Sequence, residues 1–478
     1  MSERRWLCLI LFFYTALGFG YSVLMPIWDA PDEPEHYQLA LYAARTGATA
    51  PRGYAREATQ PPLYYWLASV PLRMLDAVDP TLVDFYQPPR DSEWRARTFG
   101  WNAENYRLLV GAHVLRCLSL LFGGSALVLV YSAARRLAPG SAGVALATVS
   151  LVGLTPQFLH ITSSVSNDPL GIVAGAFLFW LLSRICTEEL SARELTASAF
   201  AALALPPLTK LTVLPMAFAV LLAIVVRPRA HTSQRWFRAL VGGLLLASGL
   251  LAGMMIFMPT AAENLWGNVL GRALYVQPDA LESPWERAAH FVWSYWGIVG
   301  ILTVRLSWTV MWMLAALAGF GAVASLRLLL PRRQAAQTWR HPVMVVGVVA
   351  ALLLAAIVNS WVANVWALTL VWLLYRSFKR PDPILPGGRR GWVMVWVAVT
   401  LALVVVAKNF LASTSTQGRH LFPSIGAISM LVTGGWSIIL LPALHRHLHH
   451  FVLWPMLAVN FHFWVTKIIP FYYQPFLD

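Results

Sequence analysis

The sequence predicts an all-α protein that crosses a membrane many times, and three observations carry that prediction. Of its 478 residues 58% are hydrophobic and only 12% charged, against about 25% charged in a soluble globular chain. Mean hydropathy is +0.59. Apolar segments of roughly 20 residues, the length a helix needs to cross the hydrocarbon core, recur along nearly the whole chain, and they lack the alternation of membrane β-strands.

In chain order the apolar segments fall at 6–26, 108–131, 141–158, 168–186, 195–209, 211–226, 237–258, 304–328, 342–358, 361–377, 391–407, 423–441 and 450–469, about thirteen transmembrane helices. The first follows Arg4 and Arg5 and could pass for a signal peptide. It is long enough to cross, and no small-residue cleavage site follows, so it reads as a retained helix with its N-terminus inside. From that start each basic cluster lands on the cytoplasmic side: Arg4/Arg5, Arg135/Arg136, Arg227/Arg229/Arg235/Arg238, Arg332/Arg333/Arg340 and Arg376/Lys379/Arg380/Arg389/Arg390. This is the positive-inside pattern. It accounts for the net charge of +14 without a nucleic-acid surface. The segments 195–226 and 342–377 could each be one long tilted helix or two short ones. Two are favoured, because dropping a span would move the later clusters outside.

The chain reads as a single transmembrane domain, 1–478, with no soluble domain or short repeat. The outer face receives 27–107, the loop near 159–167, the turn at Pro206–Lys210, the second large segment 259–303, the loop 408–422 and the C-terminus. The first of these holds about half of the acidic residues and is too short and irregular for its own core, so interfacial amphipathic helices are expected there. Residues 285–297 read as another, with a Trp/Tyr belt. Cys8, Cys117 and Cys186 fall in or beside apolar spans without CxxC spacing and read as small core hydrophobes.

Five short clusters could carry chemistry. Trp28 to Tyr37 packs Asp29, Asp32, Glu33, Glu35 and His36 just past the first helix. Carboxylates so crowded must be solvated, paired with cations or bound to a divalent metal, and one held in a partly dry cleft is a candidate general base. They could equally be a solvated loop with acids capping a helix that starts near Pro34. Thr59 to Trp66 lays two prolines before an aromatic run, a rigid turn or a simple helix start. Ser164 to Leu170 puts Asn167 and Asp168 at an outer helix end, where Asp168 fits an N-cap before Pro169. Leu205 to Lys210 places a lysine in an apolar hairpin, costly unless it snorkels or meets an anion. In Gln417 to Pro423, Arg419 is a rare outer-face arginine whose fork suits phosphate, or a salt bridge to an outer acid. The run His445, His447, His449, His450 reads as cytoplasmic interfacial charge. No Walker, dinucleotide-binding or H-E-x-x-H pattern is evident.

Taken in order, Pro31 to His36, Gln60 to Tyr65, Ser166 to Asp168, Leu208 to Lys210 and Gln417 to Pro423 resemble the GT-C superfamily of membrane glycosyltransferases. The resemblance is nearest to its PMT-like and aminoarabinose-transferase-like branch and to a bacterial family within it. Each motif is short, and the combination lies in their order, spacing and common side. The resemblance implies transfer of a sugar from a polyprenyl-phosphate donor to a lipid, glycan or protein acceptor, at the outer face of a bacterial plasma membrane. It implies Asp32 as the base at the acceptor hydroxyl with Glu33 beside it, inversion at the anomeric carbon, and Arg419 and Lys210 at the donor phosphate. Substrate contacts would come from Asp29, His36, Gln60, Tyr64, Asn167, Asp168, Gln417 and His420. Some members use a divalent metal, which makes Asp32, His36 and Asp168 candidate ligands. Two departures bear on substrate identity: His420 stands where many relatives carry tyrosine, and Gln60 where lysine or histidine is common.

Two other readings compete. A lipid-linked glycan polymerase or ligase would place its large outer loop late, whereas here it comes first. A transporter or flippase would bury polar groups near the midplane, often in repeated halves, whereas here they gather at one surface.

Overall fold

The computed structural model describes residues 2–85, 106–225, 233–264, 284–329, 388–411 and 417–473. The expected helices 342–358 and 361–377 lie outside these residues, as do Arg227, Arg229, Arg332, Arg333, Arg340, Arg376, Lys379 and Arg380. The protein is an all-α membrane protein: among the described residues seven helices are long and apolar enough to span a bilayer, eight if one bent pair counts as a span. The expected count of thirteen is not reached within them.

Helix α1 (Glu3–Leu24) leads into the first loop, which carries α2 (Glu33–Thr46) and α3 (Leu63–Val78). Helix α4 (Tyr106–Leu137) follows. The span expected at 141–158 is broken into α5 (Ala142–Gly153) and α6 (Pro156–Thr162), bent by 62°. The break falls where Thr155 precedes Pro156, and the proline ring disfavours helical backbone at the residue before it. Helix α7 is Asp168–Thr187.

The ambiguous segment 195–226 is two helices. Helix α8 (Ala192–Leu208) starts on a Ser191/Glu194 capping box and stops after Pro206 and Pro207, and α9 (Leu214–Val225) follows a short turn. Helix α10 (Ser233–Phe257) comes next. The interfacial helix expected at 285–297 is α11 (Pro284–Trp296).

Where a helix was expected from residue 304, a two-stranded hairpin intervenes. Strands β1 (Ile298–Val299) and β2 (Val304–Arg305) pair antiparallel, and α12 (Trp308–Ser325) begins only afterwards. The hairpin turns through Gly300 and Leu302 at φ of 69° and 59°. Helix α13 is Gly388–Leu411. A 3₁₀ turn, Gly418–Ser424, precedes α14 (Ile425–Ile439), and α15 (His450–Phe463) and α16 (Ile469–Tyr473) complete the bundle.

Two apolar cores result. The large one runs through the bundle, from Ile10 and Tyr14 of α1 to Phe463 of α15. The small one holds Trp28, Tyr37, Tyr64, Tyr65 and Leu72 against Leu109, Leu115 and Val165, and so seats the first loop on the start of α4. The cysteine expectation is corrected: Cys8 and Cys117 are exposed and Cys186 partly so. Lipid-facing and core-facing sides of a membrane helix are both apolar, so an apolar neighbourhood in sequence does not separate them.

One end of the bundle is a rim of ion pairs: Arg135–Glu3 at 2.6 Å, Arg136–Glu188 at 2.7 Å, Arg184–Glu188 and Arg184–Glu194 at 2.8 Å. It joins the start of α1, the ends of α4 and α7 and the start of α8. The polar motifs gather at the other end.

Candidate active site

The site begins with the way α1 hands over to α2. Between them Trp28 and Asp32 both take left-handed backbone, φ 70° and 62°. Such a conformation is tolerated by aspartate and costly for a bulky residue, so the surroundings must hold it. Glu33 and Arg116 do so. Arg116 Nε and Nη2 donate to the two oxygens of Glu33 at 2.8 and 2.7 Å, and the main-chain N–H of Trp28 and Val165 donate to the same carboxylate at 2.9 Å. Arg116 Nη1 donates to the carbonyls of Ser22 (2.7 Å) and Met25 (2.8 Å), and Nη2 to that of Pro26 at 3.0 Å. A helix C-terminus leaves its last carbonyls without intrahelical partners; here the guanidinium takes that of Ser22 and the two just beyond the helix, and Tyr473 Oη donates to that of Leu24 at 2.9 Å. Glu33 therefore faces inward and is fully buried, while the neighbouring Asp32 side chain turns out and keeps 25% of its surface exposed.

From Asp32 eight side chains close a ring. Arg56 Nη2 donates to Asp32 Oδ1. Arg419 Nη2 lies 3.4 Å from Asp32 Oδ2, and its Nη1 lies 3.9 Å from Asp168 Oδ2. Lys210 Nζ donates to Asp168 Oδ1 at 2.5 Å and to Asn167 Oδ1 at 3.0 Å. Asn167 Nδ2 donates to Gln60 Oε1 at 3.2 Å, and Gln60 Nε2 to Glu57 Oε2 at 2.7 Å. Glu57 Oε1 returns to Arg56 Nε at 3.6 Å. The expectation that Asp168 caps its helix is corrected: the N-cap residue is Asn167, no side chain caps α7, and the Asp168 carboxylate is committed to Lys210. Likewise Asp32 precedes α2 without a side-chain cap bond.

The cationic wall of this ring is set backbone against backbone. A Cβ on Gly175 of α7 would sit 1.9 Å from the Pro423 carbonyl oxygen, and one on Gly418 would sit 2.4 Å from that of Phe291. Gly418 also donates its N–H to Ser294 Oγ at 2.7 Å. These contacts bring the turn with Arg419 against α7 and α11. Two polar atoms of the turn are buried without partners among the described residues, Arg419 Nε and Gln417 Oε1. A guanidinium with a spare buried donor, beside a lysine, is equipped to receive an anion.

The other expected residues stand behind or beside the ring. His36 is buried, with Nδ1 2.9 Å from Tyr65 Oη and its ring stacked on that tyrosine. Burial pushes its imidazole below its usual range against the pull of Glu57 and Asp32, and pushes the Tyr65 phenol well up. Asp29 is fully buried and accepts a hydrogen bond from Tyr472 of α16, next to the hairpin, where a Cβ on Gly300 would lie 2.4 Å from the same tyrosine hydroxyl. Tyr64 is fully buried in the small core. His420 is half-buried on the turn beside Arg419. Asp32, His36 and Asp168 do not form a metal-binding set: no group of three His, Cys, Asp or Glu side chains among the described residues is placed to hold an ion. Instead Asp168 pairs with Lys210 and His36 with Tyr65.

Sequence reasoning missed Arg56, Glu57, Arg116 and Tyr472. Arg116 carried a usable signal, a charge inside an apolar span. Arg56 and Glu57 lie in an aperiodic stretch and carried none.

Residues 106–262 match the family described as dolichyl-phosphate-mannose-protein mannosyltransferase. That match covers about a third of the sequence and includes Arg116, Asn167, Asp168 and Lys210. Among solved structures, the Archaeoglobus fulgidus oligosaccharyltransferase in complex with zinc and sulfate aligns with 95% of this chain and 52% of its own, at 10% identity and a TM-score of 0.41. The same enzyme tethered to an acceptor peptide gives 96% and 54%, with 11% identity and a TM-score of 0.40. ArnT from Cupriavidus metallidurans bound to undecaprenyl phosphate aligns over 95% and 78%, at 15% identity and a TM-score of 0.38. The chain thus spans about half the length of the archaeal enzyme. No curated protein matches it.

Proposed function

We propose that this protein is a glycosyltransferase that takes a sugar from a polyprenyl-phosphate donor and passes it to an acceptor hydroxyl at the extracytoplasmic face. The observation that carries the reading is Arg419 between Asp32 and Asp168, with a buried donor to spare, at the bundle end opposite the ion-paired basic rim. The positive-inside rule, applied to that rim as the cytoplasmic end, supports reading the ring as extracytoplasmic.

In the reaction the acceptor oxygen attacks the anomeric carbon and the sugar–phosphate C–O bond breaks. Its electron pair leaves on the polyprenyl phosphate, and Asp32 takes the hydroxyl proton. Attack from the face opposite the phosphate inverts the anomeric centre. Arg419 and Lys210 hold the charge that grows on the leaving phosphate, the step where preorganised donors contribute most. Asn167 and Gln60 orient Lys210 and the edge of the loop. Gln417 and His420 flank the donor subsite. Glu33, Asp29 and Tyr64 act as scaffold, because their polar atoms face the interior.

The test is purified protein in nanodiscs with a panel of polyprenyl-monophosphate sugars and an acceptor-rich membrane extract, following release of the lipid phosphate. Wild type releases it from at least one donor and Asp32→Asn does not, with both proteins equally folded. Full activity in Asp32→Asn removes the assigned base, and no release from any donor removes the donor class.

A further inference from the structure

Seven side chains of the ring are mostly buried: Asp32 is 25% exposed, Glu57 19%, Lys210 13%, Arg419 9%, Asp168 7%, Gln60 7% and Asn167 0%. Arg56 is the exception at 66%. It stands on the 3₁₀ turn Arg56–Thr59, in a loop that bends through Gly47 and Gly53 with positive φ, and a Cβ at Gly53 would meet nothing within 4 Å. The most solvated member of the ring thus rests on the oxygen of Asp32 that Arg419 does not contact.

We propose that Arg56 guards Asp32 against water and so makes the enzyme specific for its acceptor. The proposal rests on the reading of Asp32 as the base. A bound donor with no acceptor faces a competing reaction. In it water oxygen bonds to the anomeric carbon, the sugar–phosphate bond breaks with its electrons leaving on the lipid phosphate, and Asp32 takes the water proton. Free sugar and polyprenyl monophosphate result, and the donor is wasted. With Arg56 donating to Oδ1 and Arg419 beside Oδ2, a water molecule that approaches either carboxylate oxygen competes with a guanidinium for it. The acceptor opens the site by displacing Arg56. Glu35 and Glu57, each 3.6 Å from the same guanidinium, keep it paired when it moves off Asp32. Exposed ion pairs of this kind are weak, so the exchange is within reach of ordinary binding energy. Arg56 acts through Asp32 and is a positioning residue.

The test compares wild type, Arg56→Ala, Arg56→Lys and the double variant Asp32→Asn/Arg56→Ala in nanodiscs, with polyprenyl-monophosphate sugars as donors. Lipid phosphate release is measured with and without the acceptor-rich extract. Arg56→Ala is expected to raise acceptor-free release by up to about fivefold, the scale of one exposed ion pair removed. Arg56→Lys keeps part of the guard and leaks less, and the double variant is silent. A merely structural residue would lower both rates together and would not change their ratio. Wild-type transfer with an Arg56→Ala variant that leaks no more than wild type overturns the guard alone. A wild type that consumes no donor even with acceptor overturns the transferase reading, and this proposal with it.

Discussion

Arg116 and Glu33 face each other through two nearly parallel hydrogen bonds of 2.7 and 2.8 Å, with side chains 1% and 0% exposed. The pair fastens the end of α1 to the start of α2, directly beneath Asp32. Losing one partner strands a buried charge, at a cost of about 3–5 kcal/mol, whereas replacing both by apolar groups is much milder. Arg116→Met and Glu33→Leu are therefore each expected to unfold well below wild type in a thermal melt in detergent. The double variant should be more stable than either. A double variant as unstable as the two losses added together would mean the residues act independently.

Gly175→Ala is expected to destabilise by about 1–3 kcal/mol, the usual cost of forcing an atom into a filled interior, because its Cβ would meet the Pro423 carbonyl at 1.9 Å. It should also lower donor turnover by shifting the turn that holds Arg419. Gly253→Ala on α10, where a Cβ meets nothing within 4 Å, supplies the control. Its melt should match wild type or exceed it by a few tenths to about 1 kcal/mol.

The His36 imidazole is held below its usual range, burial outweighing Glu57 and Asp32. The unfolded chain takes up that proton near the ordinary histidine value of about 6.5, while the folded chain resists it. The stabilisation is thus present above that value and is lost as pH falls below it. His36→Gln removes the titration. The melting temperature of wild type relative to this variant is expected to drop on acidification from about pH 7.5 to 5.5. A difference independent of pH would mean that His36 does not carry the effect.

The orientation is open to direct labelling. Arg52 is exposed on the loop beside the ring and Arg446 is exposed beyond α14. In a background without the native cysteines, Arg52→Cys should react with a membrane-impermeant maleimide on intact cells. Arg446→Cys should react only after permeabilisation. The reverse pattern would turn the protein over and place the ring in the cytoplasm.

The long apolar spans were legible because length and hydropathy suffice for a helix such as α1 or α7. The break at Thr155–Pro156 was legible only after the fact, since a proline can kink a span or simply begin the next helix. The hairpin at Ile298–Arg305 was hidden because its residues continue an apolar, aromatic run. In the site, Asp32, Asn167, Asp168, Lys210 and Arg419 were marked by polarity at helix ends, and the structure brings them together. The division of labour between Asp32 and Glu33 was not legible. It turns on one left-handed residue and on Arg116, 83 positions away from its carboxylate partner. Arg56 could not be found from pattern, because its role arises from where an irregular loop happens to fold back.

The seating of Gly175 on Pro423 and of Gly418 on Phe291 makes the two sides of the ring unequal in how they can change. The wall bearing Asp168, Lys210 and Arg419 is locked main chain to main chain, so a mutation there must accommodate two helices and a turn at once. The loop that bears Arg56 and Glu57 makes no comparably close contact at Gly53, and the exposed residues on either side of that glycine can change with little disturbance while Ala50 and Ala58 stay packed in the small core. Descendants of such a protein can try new partners by rewriting the exposed residues around Gly53 while keeping the opposite wall of the ring. Diversity within a lineage should therefore pool in that short stretch.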